Sequence, residues 1–201
     1  MPARDGDLTP YARIRDAALE GFARDGVAAT SIRGVAAAAG VSPGLVQHHF
    51  ATKAALRRAV DEHVLAVVAE GLAGVGRDSA AGDPVEEVGD RITAVVREHH
   101  LALLYVARSV ADGDPGGLDM FDGLVAVADA QIARLAEEDL LAPGVDRTWA
   151  ALHGVVLNLA TVLMSRAVSR HLPEDFLEPA QLERWNQATT ALFRRGFYHP
   201  E

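Results

Sequence analysis

Between Ala36 and Leu56 the chain reads AAAAGVSPGLVQHHFATKAAL. Gln47, His48 and His49 stand there in a row, and Lys53, the only lysine in the chain, follows. A glutamine amide presents donor and acceptor side by side and can bridge N6 and N7 of adenine. An ammonium or an imidazole can hydrogen bond to a phosphate oxygen. Leu45 can touch a thymine methyl, and Gly44, with no Cβ, lets a backbone come close. The chemistry on offer is recognition of a duplex rather than bond-making. The charge distribution agrees. The chain carries a formal net charge of -9, yet residues 1–60 hold eight basic and five acidic groups, a net of +3, against 11 and 23 in the remainder, a net of -12. A basic head on an acidic body leaves the head as the part that approaches a polyanion.

Helices must position these groups. Thr9 predicts the N-cap of a first helix over residues 10–25, with Pro10 at its first position, Ile14, Ala18 and Phe22 on its buried face and Gly26 at its end. A second opens at Thr30 or Ser31, turns Ile32, Val35 and Ala39 inward and stops at Gly40. A third, capped by Ser42, runs from Pro43 to His49. The Gly40-Val41-Ser42 link between them fits a helix-turn-helix. Val46 and Phe50, four apart, anchor the third helix inward, so Gln47 and His48 face away. A fourth helix opens at Thr52 and runs to about residue 75, with Leu56, Val60, Val64 and Val67 on one face. Lys53 falls in its first turn, where the macrodipole disfavours a cation by ~0.3–1 kcal/mol. A phosphate clamp, which His49 can join, explains a lysine there.

After the turn-rich break GRDSAAGDP the pattern stays helical. Helices are expected at about 84–100, continuing or kinking into 101–111, then at 118–141, 147–168 and 180–197. The chain reads as all-α, with about nine helices. No cysteine is present, which excludes disulfides and thiolate metal sites and suits the cytoplasm. The opening residues lack the apolar core of a signal peptide. Residues 148–165 carry no Asp, Glu, Lys or Arg, but they include His153, Gly154, Asn158 and two threonines. That segment reads as a buried helix, not a membrane span. The adjacent pairs His48-His49 and His99-His100 diverge by ~100° on a regular helix and cannot jointly face one ion. No metal, cofactor or catalytic constellation is expected.

The run T-S-I-R-G-V-A-A-A-A-G-V-S-P-G-L-V-Q-H-H-F-A-T-K-A-A-L resembles the DNA-binding head of the tetracycline-repressor (TetR) family. The resemblance rests on Thr30, Val35-Ala36, Ala39-Gly40-Val41-Ser42, Gly44, His49-Phe50, Lys53 and Leu56, within residues 10–56. It implies a three-helix DNA-binding domain, here residues 1–52, and a helical effector-binding and dimerisation domain, residues 53–201. It implies a homodimer on a palindromic double-stranded operator, and repression relieved by a small molecule held in the body. By position, Pro43, Gly44, Leu45, Gln47 and His48 become base readers on the helix that Ser42 opens. Ser31, His49 and Lys53 become phosphate contacts, and Arg33 reaches a base or a phosphate. The family commonly has tyrosine where this chain has Gln47, which points to an atypical operator.

In the body, Trp149, Leu152, Val156, Leu159 and Leu163 on the eighth helix, with Leu182, Trp185, Thr189 and Leu192 on the ninth, are expected to form a four-helix bundle across a two-fold axis. Gly154 in mid-helix suggests close backbone approach. Polar or aromatic groups on apolar stretches are the expected pocket residues: His99, His100, Tyr105, Arg108, Phe121, His153, Asn158 and Met164. The alternative to a regulator is a small helical enzyme or ligand carrier with a vestigial head.

Overall fold

The computed structural model describes residues 9–72 and 83–197, and among them every regular element is a helix. The turn-rich break at 76–84 therefore lies mostly outside the described residues, as does the expected end of the fourth helix.

Three short elements build the head. Helix α1, Pro10–Asp25, starts at Thr9, whose Oγ1 accepts from the Ala12 N–H, and ends at Gly26 with φ +87. Helix α2, Ile32–Ala38, is capped by Ser31, which settles the choice between Thr30 and Ser31. Thr30 packs instead: its hydroxyl donates to the Gly26 carbonyl at 2.9 Å. Gly40 then takes φ +64. Its N–H donates to Ala37 and that of Val41 to Ala36, the paired closure that requires a left-handed residue. This turn delivers the chain into α3, Pro43–His49, capped by the Ser42 hydroxyl on the Leu45 N–H.

Helix α4, Lys53–Leu72, packs on α1 and also on α5, Pro84–Ala111. Its inward face is Leu56, Val60, Val64 and Val68, with Val67 half-buried one step round. The two expected helices over 84–111 are one element with non-helical backbone at His99, where neither proline nor glycine stands. Helix α6, Pro115–Glu137, begins three residues earlier than expected, because the Asp114 carboxylate accepts from the Gly116 and Gly117 N–H groups and places Pro115 at the first position. It also stops earlier. Asp139 takes φ +57, and the Leu140 N–H closes onto Leu135. The expected helix over 147–168 breaks at Met164 into α7, Arg147–Leu163, and the single turn α8, Ser165–Ser169. The break redirects the chain so that Phe176 fills the core, its N–H held by the Ser169 hydroxyl at 2.9 Å. Helix α9, Pro179–Phe197, lies against α5.

One apolar cluster runs from Ile14 in α1 to Leu182 in α9 without a gap between head and body. Full burial of a side chain such as Phe22, Val46 or Leu56 contributes about 1.5–3 kcal/mol. The head is therefore held by its own core and by α5 together. No described helix is long and apolar enough to cross a membrane.

Candidate nucleic-acid interface

Helix α3 is bolted inward by two side chains. Val46 and Phe50 are buried, and the Tyr11 ring lies on Phe50 with centroids 4.7 Å apart. The opposite face is open. Ser42, Pro43, Gly44, Gln47 and His48 are exposed, and Leu45 and His49 are half-buried. A Cβ built on Gly44 would meet only the Ser42 hydroxyl, at 3.9 Å. Nothing within the chain requires glycine there, although a helical glycine costs about 0.5–1 kcal/mol against alanine.

The expected phosphate contacts divide. Ser31 is exposed, with its hydroxyl engaged by the Gly34 N–H at 3.0 Å, and Arg33 is exposed beside it on α2. His49 sits edge-on to Tyr11 at 6.2 Å and to His48 at 5.4 Å, so its imidazole is oriented by neighbours. Lys53 is half-buried and its Nζ donates to the Ala28 carbonyl at 3.2 Å. That bond ties the start of α4 to the α1–α2 loop, a structural task that the reading of Lys53 as a clamp did not include. Tyr11 was also missed. It continues the Ile14–Ala18 face one turn toward the amino end, a signal available in the periodicity.

Behind the head stands a polar joint between α1, α4, α5 and the start of α6. Arg57 donates through both terminal nitrogens to the two carboxylate oxygens of Asp114. The Tyr105 hydroxyl donates to Asp61, and the Tyr105 ring lies 6.2 Å from Phe22. Arg108 Nε donates to the Ala23 carbonyl at 3.0 Å, near the end of α1. The bond from Arg57 holds the Asp114 carboxyl below the usual range, and the same bond strengthens protonation of Arg57. Burial raises Asp61, and burial followed by the Asp61 hydrogen bond raises the Tyr105 phenol. The joint thus holds a protonated phenol between carboxylate and guanidinium groups and fixes α4 to α5.

In the body, α5, α6, α7 and α9 line a partly open cavity of about 180 Å³. Of the eight side chains expected at a pocket, Asn158 lies on its wall. Tyr105 and Arg108 belong to the joint. His99 marks the α5 kink. His100 is half-buried, and burial, then Arg24, lowers its pKa. Phe121 packs against the core, His153 is exposed 5.4 Å from the Trp149 ring, and Met164 is exposed at the α7–α8 break. The apolar-stretch criterion selected polar residues without regard to the helix face, and the face decides.

The expected dimer stripe needs the same correction. Leu159 and Leu182 are buried in the chain's own core, and Trp185 and Thr189 line the cavity. Trp149, Val156 and Leu163, at seven-residue spacing on α7, remain exposed, with Leu152 half-buried among them and Leu192 60% exposed on α9. A Cβ on Gly154 meets nothing within 4 Å. Gly154 faces the cavity rather than a tight helix crossing.

Comparison with known proteins agrees with this geometry. Residues 14–60 match the family described as bacterial regulatory proteins, tetR family. The HTH-type transcriptional regulatory protein RaaS of Mycobacterium tuberculosis is 36% identical over 110 residues, 55% of this chain and 49% of that protein. The match thus spans about half the length of that relative. Among solved structures, the ketosteroid transcriptional regulator KstR2 of Mycobacterium tuberculosis superposes with a TM-score of 0.72 at 16% identity, over 96% of each chain. SmeT, the repressor of the Stenotrophomonas maltophilia multidrug efflux pump SmeDEF, gives 0.68 at 21% identity, over 98% of this chain and 93% of its own. At these identities the structural likeness establishes the fold.

Proposed function

We propose that this chain, whose residues 14–60 form a tetR-family head, is a DNA-binding transcriptional regulator that acts as a homodimer and releases its operator when a small molecule occupies the body. The observation that carries this reading is α3. A short helix, anchored by Val46 and Phe50, presents Gly44, Gln47 and His48 to solvent at the end of a left-handed Gly40 turn. Its width and exposed amide suit a major groove.

The division of labour we assign is residues 1–52 for DNA and residues 53–201 for sensing and dimerisation. A second copy covers the exposed stripe Trp149, Val156 and Leu163 of α7 with Leu192 of α9, which sets two α3 helices roughly 34 Å apart for successive grooves of a palindrome. Helix α5 links the two ends of one chain. It carries Thr93, Val96 and Leu103 on the cavity wall and Tyr105 and Arg108 in the joint, with the His99 kink between Val96 and Leu103. An occupant that favours one α5 geometry shifts the population of head spacings.

The test is fluorescence anisotropy with the purified chain and duplexes from its own upstream region. The expected outcome is saturable binding to an inverted repeat, weakening steeply as salt rises. A double substitution, Val156→Asp with Leu192→Asp, is expected to leave a folded monomer by sedimentation that no longer binds the repeat. Absence of any duplex binding at low salt would sink the reading and favour a helical ligand carrier.

A further inference from the structure

Helix α3 has seven residues, too few to keep its shape in water alone, so its last side chains are fixed by what packs on them. Tyr11 packs there from the first turn of α1. Its ring lies 4.7 Å from that of Phe50, tilted by 34°, and Phe50 is buried. The same ring stands 6.2 Å from the His49 imidazole at 84°, an edge-to-face contact. His48 adds a second edge-on contact to His49, 5.4 Å away at 71°. A run of ring contacts thus leads from the buried Phe50 through Tyr11 and His49 to the exposed His48.

Among the residues expected at a phosphate, Lys53 is engaged by the Ala28 carbonyl and the Ser31 hydroxyl by the Gly34 N–H. His49 differs. It makes no hydrogen bond to a described residue, and neither ring nitrogen is shut off from solvent. An imidazole carries an N–H whether neutral or charged, so His49 has a donor for a phosphate oxygen in either state. What the neighbouring rings supply is its direction. A side chain ordered in advance loses less freedom on binding, which is worth about twofold to tenfold in affinity. Tyr11 is 41% exposed, and its hydroxyl bonds no described residue. The ring, not the hydroxyl, is therefore the part of Tyr11 that acts on α3.

We infer that Tyr11 is a positioning residue for duplex binding: its ring, seated on Phe50, holds the His49 imidazole for a phosphate of the bound backbone. A phosphate contact fixes a protein on the duplex and carries no base information. Tyr11 therefore raises affinity for every duplex alike, whereas Gln47 sets the preference among them. The inference rests on the duplex-binding role proposed above.

The experiment is anisotropy of the full chain with the inverted repeat and its single-base variants. It compares the unmodified chain with Tyr11→Leu, Tyr11→Phe, His49→Ala and the double substitution Tyr11→Leu with His49→Ala. Leucine keeps apolar cover on Phe50 but offers His49 no ring. Circular dichroism checks helicity and melting temperature for each. Tyr11→Leu is expected to weaken binding to the repeat and to all its variants by one common factor, about twofold to tenfold. Tyr11→Phe keeps the ring and is expected to bind within about twofold of the unmodified chain. Once His49 is alanine nothing is left to position, so adding Tyr11→Leu is expected to change affinity by less than about twofold. A changed preference among the variants in Tyr11→Leu would mean that α3 moves as a whole, and it overturns the inference. So does unaltered affinity in Tyr11→Leu, a loss in Tyr11→Phe as large as in Tyr11→Leu, full additivity with His49→Ala, or no loss in His49→Ala. Tyr11→Phe and His49→Ala keep the inference refutable even where Tyr11→Leu loses helicity. In each of these cases binding by the unmodified chain leaves the regulator reading standing; no duplex binding by the unmodified chain overturns both.

Discussion

The head and the body are both helical and share one apolar cluster, yet their unusual residues face opposite ways. In the head they face out: Gly44 where alanine would fit, and Gln47 and His48 on the open side of α3. In the body they face in: Asn158 with an unpaired oxygen, and Gly154 with open space where a Cβ would go, both on the cavity wall. A residue that its own chain does not need indicates where a partner sits. The proposed function applies that criterion, with a duplex at the open face of the head and a small molecule in the cavity of the body.

The strongest way to break this comparison is to show that the two regions are separate bodies. Phe22 belongs to the head core and its ring lies 6.2 Å from Tyr105 of α5. Phe22→Ala is expected to cost about 3–5 kcal/mol. Because one apolar cluster spans both regions, thermal denaturation by circular dichroism is expected to show a single transition at lower temperature. Two transitions, one at the wild-type temperature, would mean that the body does not rely on the head.

A finer test separates recognition from stability. Gln47 is exposed and makes no bond that the fold uses, so Gln47→Ala is expected to change stability by no more than about 0.5 kcal/mol. It is expected to shift preference between duplexes by about 1–3 kcal/mol at the base pair that Gln47 reads. Anisotropy against a set of single-base variants of the bound repeat measures this. An unchanged preference profile would remove Gln47 from the readers.

Where the sequence was legible, the decisive interactions are local. Thr9, Ser31, Ser42 and Asp146 each cap a helix by bonding the N–H three residues on, and Gly40 and Gly26 close their helices within one turn. The whole recognition motif lies within such distances, so residue types alone placed it. The body resisted because its determinants are long-range. Arg57 meets Asp114 57 positions away, Arg108 meets Ala23 85 away, and Asn186 meets Asp90 96 away. No short window contains these pairs. The same holds for faces. Leu159 and Leu163 look alike on a greasy helix, yet one is buried and the other exposed, because α5, α6 and α9 cover only part of α7.

The smallest expected effect is also the most discriminating, because it has opposite signs in two measurements. Gly44 has ordinary helical backbone, and a Cβ there would reach no atom closer than the Ser42 hydroxyl at 3.9 Å. Gly44→Ala is therefore expected to stabilise the chain by about 0.5–1 kcal/mol, since alanine loses less backbone freedom on folding. If the glycine is present so that α3 can approach a duplex, the added methyl must weaken binding to the repeat while the melting temperature rises. A packing role would lower stability, and a solvated face with no function would raise it and leave binding untouched. Denaturation and anisotropy on one variant decide among the three, and only higher stability combined with weaker binding fits a head whose unusual residues face outward toward DNA.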